Sequence, residues 1–465
     1  MLWNIYFADL ADVFESDSDD ITLNGRPVSH LEQADDVVLF STTAAGLQRK
    51  LNQFFGWCRV NFMVISIMKT VWMIFGNLPR AIPVMLVGDC AIELVKSYKY
   101  VGLIFTSVNR DIFAGHYTNK ASKARVVANT TFAVKSMIGC LPPAEGIQLY
   151  MARVDPHLTF GCEVTLDVVA AHLKELTDVQ HEFIRRLLGV HSHSILSVLF
   201  TETGIIPLCY RRPILALGYL GYLLTLPSSH FANTAYLDSC LLAAAGYPSW
   251  ISDLRWVVAS LPVPVELRAD LLIDTVSVQK ALKGACEKWM AGLTTQYSSR
   301  IPLIQGRLER NEEGELVQMP LKLRQYLRVP VPAHRKALTR LYLSAHRLGI
   351  EVLRYAERYR ERTPRNWRLC RFCRCAVESE SHALLGCMAK PELAGLRTDF
   401  LREVYDLVPN FPRIWESVDA FLLALVQCRN FDVTQRLAKL AFDVFAVYAA
   451  CEVFKPAEYL YTALE

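Results

Sequence analysis

The sequence lacks any apolar run long enough to cross a bilayer. Its longest nearly uncharged stretch, residues 214–226, falls short of the roughly 20 residues required and is interrupted by Gly218 and Gly221. The opening stretch MLWNIYFADLADVF lacks basic residues and carries Asp9 and Asp12 early, so it is not expected to be a secretory signal peptide. There are no low-complexity tracts and no internal repeats. The net charge is only +4 and 52% of the residues are hydrophobic. That excludes disorder, which needs low hydrophobicity and high net charge. Regular cysteine pairing is absent too, because the 13 cysteines are odd in number and scattered. They are expected as reduced thiols with at most one metal cluster, in the nucleus or cytoplasm and away from membranes.

What the sequence does have is length and an uneven distribution of charge. At roughly 150 residues per domain, 465 residues make about three domains, each able to bury a core. The apolar residues at positions 2, 3, 5, 6 and 7 resemble the middle of a buried element, so the chain is expected to be the C-terminal part of something longer. Between residues 322 and 374, 15 Lys or Arg face 3 acids, which leaves the remainder at −8. Such a concentration fits a polyanion footprint; a solvated helix face is the alternative. Arginine predominates, and its planar fork suits phosphate. The candidate contacts are Arg335, Lys336, Arg340, Arg347, Arg354, Arg358 and Arg360, on a helix expected over about 333–362. Tyr326, Tyr342, Tyr355, Tyr359 and Trp367 interleave with them, either to stack on bases or as the apolar side of that helix.

From Pro27, PVSHLEQADDVVLFST places two short segments around Asp35 and Asp36, and Val37 to Phe40 have strong strand propensity. This pattern predicts a β-hairpin with adjacent carboxylates at its turn. Leu47, Leu51, Phe54, Phe55 and Cys58 follow at helical spacing, with Thr42 or Thr43 as cap. A strand is expected over residues 71–75, a turn at Gly88-Asp89, and a β-rich segment in YKYVGLIF at 98–105. Beyond about Asn109 the pattern is helical, over 111–139, 144–160 and 166–189, with Pro142-Pro143 as punctuation. Residues 227–315 carry no chemical motif, and a mostly apolar helix is expected over 437–454.

Two neighbouring aspartates in an apolar hairpin repel each other unless a cation or hydrogen bonds compensate. A hard divalent cation such as Mg²⁺, held by carboxylates and substrate phosphates, would do so; a polar turn is the alternative. Four further residues, Cys370, Cys373, His382 and Cys387, form C-x2-C-x8-H-x4-C. Three thiolates and an imidazole suit a closed tetrahedral Zn²⁺ site with no open position for catalysis. The alternative is coincidental buried cysteines, and Cys375 is a spare thiol that could compete as ligand.

QADDVVLFS resembles the tetrad of reverse transcriptases, in which an aromatic residue and a variable one precede two aspartates. The surroundings are similar, in order, to LINE-type (non-LTR) retrotransposon polymerases. LWNIYFADL at 2–10 looks like the tail of the preceding motif, and LNQFFGWCRVNFMVISIMKTVWMIFG at 51–76 like the helix, Asn, Ser, Lys-Thr and strand that follow. YKYVGLIF resembles the hairpin near the primer end. VQHEFIRRLLGV at 179–190 and TETGIIPLCYRR at 201–212 resemble the post-thumb region, and NWRLCRFCRCAVESESHALLGC at 366–387 the C-terminal zinc knuckle.

The resemblance implies an α+β fold: a partial polymerase palm with a small antiparallel sheet and helices (1–108), a helical thumb and post-thumb region (109–226) and a helical linker region (227–320). A basic helix with a CCHC zinc module (321–395) and a C-terminal helical region (396–465) would follow. It implies RNA-directed DNA polymerase ancestry, with Asp35 and Asp36 as Mg²⁺ ligands in two-metal nucleotidyl transfer and Lys69 near the triphosphate. RNA template and DNA primer or target are the implied partners. Two departures matter: Gln33 stands at the aromatic position, and the family's third carboxylate and fingers lie upstream of this chain. Neighbouring strand residues point to opposite faces, so the pair alone is not expected to build a two-ion cage. The expectation is a catalytically incomplete chain, with a non-catalytic nucleic-acid-binding remnant as the alternative.

Overall fold

The computed structural model describes residues 5–14, 18–107, 111–192, 194–268, 273–310, 314–356 and 361–457. The fold is mixed α+β, with small open sheets and one Cys-Cys-His-Cys cluster towards the C-terminus. Strands β1 to β9 are Ile21–Leu23, Arg26–Val28, His30–Gln33, Asp36–Leu39, Val71–Trp72, Met85–Val87, Cys90–Leu94, Ser97–Tyr100 and Leu103–Thr106, with helix α1 (Ala44–Val60) between β4 and β5. Helices α2 to α9 follow as Ala114–Ala133, Pro143–Leu149, Ala170–Leu188, Leu196–Thr203, Leu208–Thr225, Phe231–Ala244, Trp250–Ala259 and Thr275–Gln296. After a short hairpin of β10 (Glu309–Arg310) and β11 (Leu316–Val317) come α10 (Pro332–Tyr342), α11 (Pro391–Leu407), α12 (Val418–Gln427) and α13 (Phe431–Ala449). Among the described residues no helix is long and apolar enough to cross a membrane.

The chain divides into two compact units. The first comprises Met1–Lys123, His157–Leu176 and Leu208–Leu282. Its strands make antiparallel hairpins β1–β2, β3–β4 and β8–β9, and a three-stranded sheet in the order β5-β7-β6. Turn chemistry explains two of the hairpins. Asn24-Gly25 and Val101-Gly102 all have positive φ, the backbone that two-residue turns need in order to match strand twist. Helix α1 starts at Thr43, whose hydroxyl accepts from the Gly46 N–H at 3.0 Å, so the expected cap is the one in use. Its apolar residues serve two clusters. Trp57 and Cys58 join Phe7, Leu10 and Phe14, while Leu51 joins Trp72, Met85, Val87 and Ile92. Val37 packs against the first cluster and Leu39 against both.

The second unit comprises Ala124–Pro156, Thr177–Pro207 and Lys283–Glu465. Helix α13 is its centre: Val433, Leu437, Ala441 and Val444 are fully buried, and α10 and α11 both pack on it. Asn430 caps it through Asp432 and Val433 N–H groups, so this helix starts earlier than the apolar run at 437 indicates.

Two expectations need correction. The strand over 71–75 is only Val71–Trp72, paired parallel to β7. The single basic helix over 333–362 is not formed. Helix α10 stops at Tyr342, and Ser344 adopts a left-handed φ of 50° while the Ala345 N–H bonds back to the Arg340 carbonyl at 2.8 Å. That is a helix stop. Only the short turn Gly349–Val352 is helical after it among the described residues up to 356.

Candidate metal centre and acidic hairpin

Cys370 enters the metal centre from a short antiparallel bridge, Leu369 against Val377. The loop between them folds back, with the Cys370 N–H on the Ala376 carbonyl at 2.8 Å and the Arg374 N–H on the Cys370 carbonyl at 3.0 Å. Arg374 makes the reversal at a φ of 57°. This brings Cys373 round towards His382, which opens a π-helical turn, His382–Gly386, ending at Cys387. The four ligand atoms of Cys370, Cys373, His382 and Cys387 lie within 4.8 Å of one another. Cys370 Sγ and Cys387 Sγ are 3.8 Å apart, and Cys373 Sγ is 3.3 Å from His382 Nε2. Sulfurs at 2.3 Å from one tetrahedral ion are separated by about 3.8 Å, so the donor set fits. Cys375 is exposed and stands outside the quartet.

The surroundings hold this quartet in place. Glu378 is fully buried. It accepts from the Gly349 N–H at 2.6 Å and the Arg371 N–H at 2.7 Å, and pairs with the Arg371 guanidinium at 2.7 Å. Arg371 reaches on to the Tyr448 and Cys451 carbonyls, each at 2.6 Å, fastening the cysteine loop to the end of α13. Tyr448 Oη lies 3.6 Å from Cys370 Sγ. Arg397 of α11 donates to the carbonyls of Ala383, Leu384 and Cys387, satisfying the orphan acceptors of the π-helical turn. Burial pushes the Cys387 thiol up to about 11, so a bound cation must displace its proton. Arg371, Arg397 and Tyr448 have no ligand spacing, and nothing in their sequence context marks them.

Asp35 and Asp36 stand where the sequence places them, on the β3–β4 hairpin. Gln33 pairs with Asp36, and Ala34 and Asp35 make the turn, Ala34 at a φ of 54°. Both acids are exposed. Hairpin β8–β9 comes close on one side: burial raises the Tyr100 phenol above its ordinary value, and the Asp36 carboxylate raises it further. Lys69 is exposed on a turn in which the Lys69 and Thr70 N–H groups bond the Ser66 carbonyl. Among the described residues the only group of three or more potential metal ligands is the Cys370 quartet. Among the described residues Asp35 and Asp36 therefore have no third His, Cys or carboxylate, and a closed two-ion Mg²⁺ site does not fit them.

Part of the basic segment is turned inward. Arg335 is buried, donating to the Val329 carbonyl at 2.6 Å, and half-buried Arg340 donates to the Gly189 carbonyl at 3.3 Å. Arg354 pairs with buried Glu351. Arg368 is buried on the Thr363 and Ile350 carbonyls. Lys336 and Arg347 are exposed, while Arg358, Tyr359 and Arg360 lie outside the described residues. Tyr326 and Tyr342 are buried against each other at 4.7 Å between ring centres. Tyr355 is exposed.

The TETGIIPLCYRR segment holds two further buried networks. In the second unit, Glu202 accepts from Arg307 at 2.6 Å, and Arg324 donates to the Thr201 carbonyl at 3.0 Å. In the first, Arg212 pairs with Asp167 at 2.9 Å and donates to the Leu158 and Thr165 carbonyls. Both are scaffolding. No protein-family model matches the chain, and no curated protein matches it.

Proposed function

We propose that the chain derives from the palm, thumb and zinc-knuckle part of a LINE-type reverse transcriptase, and that it binds nucleic acid without polymerising by itself. The observation that carries this reading is the acidic hairpin: Asp35 and Asp36 at a two-residue turn, backed by α1, with Tyr100 of the next hairpin within reach of Asp36. In the complete family, Mg²⁺ ions sharpen a primer 3′-hydroxyl and steady the departing pyrophosphate. Here the pair has no third ligand among the described residues, and no step is assigned to it.

Cys370, Cys373, His382 and Cys387 are proposed to hold one structural Zn²⁺. A closed four-ligand site supplies folding energy rather than catalysis. It would fix the loop on α13, and through Glu378 and Gly349 the segment that bears exposed Arg347.

The test is equilibrium binding of an RNA template annealed to a DNA primer, measured by anisotropy across a salt series. Binding that weakens linearly in log salt supports the reading. Absence of binding at low salt overturns it and leaves a structural helical protein.

A further inference from the structure

Lys120 of α2 carries a charge that is nearly buried. The residue is only 9% exposed, and among the described residues no carboxylate pairs with it. Its Nζ lies 3.4 Å from the centre of the Phe160 ring, a contact that tolerates a cation without neutralising it. The charges acting on it are both positive, Lys123 one turn along α2 and Lys99 on β8. With burial as the larger cause, they pull its pKa down to about 8. His157 feels Lys120 and Lys123 in the same way and is lowered too.

The backbone builds this convergence. Gly102, at a φ of 85°, lets the β8–β9 tip rest on Phe160: a Cβ there would stand 2.6 Å from the ring. His116 locks the other side, taking the Ile104 N–H on Nδ1 at 3.4 Å with Nε2 on the Phe160 carbonyl at 3.1 Å. Lys99 follows Tyr98 and precedes Tyr100, so it points to the opposite face of the hairpin from both. Tyr100 takes the acidic side beside Asp36, and Lys99 takes the basic side. A protein gains nothing in stability by assembling like charges around a buried ammonium; an anion arriving there would relieve all of them.

We propose that Lys99, Lys120, Lys123 and His157 form a phosphate-binding site on the first unit, with the Phe160 ring as its floor. The chemistry it takes is a phosphoryl oxyanion, from either free phosphate or a phosphodiester of a nucleic-acid strand. The proposal deepens the nucleic-acid reading by naming a contact and does not depend on the Cys370 quartet.

The test uses the full chain with two probes, inorganic phosphate and a single-stranded oligothymidylate, and the variants Lys120→Met and Lys123→Gln. Lys120→Met keeps the apolar stem over Phe160, and Lys123 is exposed, so the second variant stays informative if the first fails to fold. Each substitution is expected to weaken oligothymidylate binding by about tenfold and to lower the salt slope by about one. Phosphate should slow acylation of Lys120, read by peptide mass spectrometry, if it is the source; protection by the oligonucleotide alone assigns the site to a strand backbone. Unchanged binding of both probes in both variants overturns the proposal. If template and primer bind while these variants do nothing, only this site falls. Phosphate protection without any nucleic-acid binding removes the broader reading instead.

Discussion

At the scale of single residues, the buried arginines are held by backbone carbonyls, with a carboxylate added at Arg212 and Arg324. Arginine offers five donors in a fixed fork, and irregular backbone has many unused acceptors. Arg335, Arg368 and Arg397 each answer such carbonyls. A count of positive residues between 322 and 374 cannot separate these from solvent-facing ones. The density of arginine was legible; its direction was not. At Arg371 a buried carboxylate, Glu378, joins the carbonyls. Glu378→Ala would leave Arg371 uncompensated beside the cysteine loop, and should destabilise the fold by about 3–5 kcal/mol in chemical denaturation. Tyr448→Phe removes only the hydroxyl near Cys370. It should leave the fold intact and lower metal affinity about 10–100-fold in chelator competition.

Glu351 gives a pH prediction at the same scale. Burial outweighs its pairing with Arg354 and raises it from 4.5 to about 7. The folded state therefore binds a proton more tightly than the unfolded state. That contribution is fully present below pH 4.5 and is lost as pH rises through about 7. Glu380 opposes it, since its pKa is lowered in the folded protein despite burial, through its hydrogen bond to His346. Glu351→Gln should accordingly gain stability relative to the parent on going from pH 5 to pH 8, on the order of 2 kcal/mol. Denaturation midpoints of both proteins at the two pH values check the sign.

Among the elements, α1 was the clearest from sequence because it has a Thr cap, apolar residues at helical spacing and no proline inside. Its one apolar stripe serves both core clusters, Leu51 in one and Cys58, two turns on, in the other. Thr43→Ala should cost about 1 kcal/mol in thermal or chemical unfolding. The acidic hairpin was legible for a similar reason, an apolar strand after a polar pair. The basic helix was misread because composition continued past the point where geometry stopped. Nothing in LSAHRLG is a proline, and its glycine comes five residues after the left-handed Ser344. The hairpin turns at Asn24-Gly25 and Val101-Gly102 depend on the same left-handed backbone, there with the expected glycine.

Across the whole molecule, the two sites differ in how complete they are. The quartet at Cys370, Cys373, His382 and Cys387 was visible because its spacing is itself the signal, and the structure brings all four ligand atoms together. The acidic pair was equally visible, but no third ligand joins it among the described residues. Metal removal should therefore act on folding alone. A strong chelator should loosen the 370–387 loop and the end of α13, seen as faster amide exchange there, and leave α1 and its hairpins protected.

The most direct test of the account is primer extension on an RNA template with Mg²⁺, run at saturating template and primer beside an Asp35→Asn/Asp36→Asn control. Template and primer should be bound, and nucleotide incorporation should not exceed the control. Synthesis by the parent chain that disappears in the double variant would contradict it.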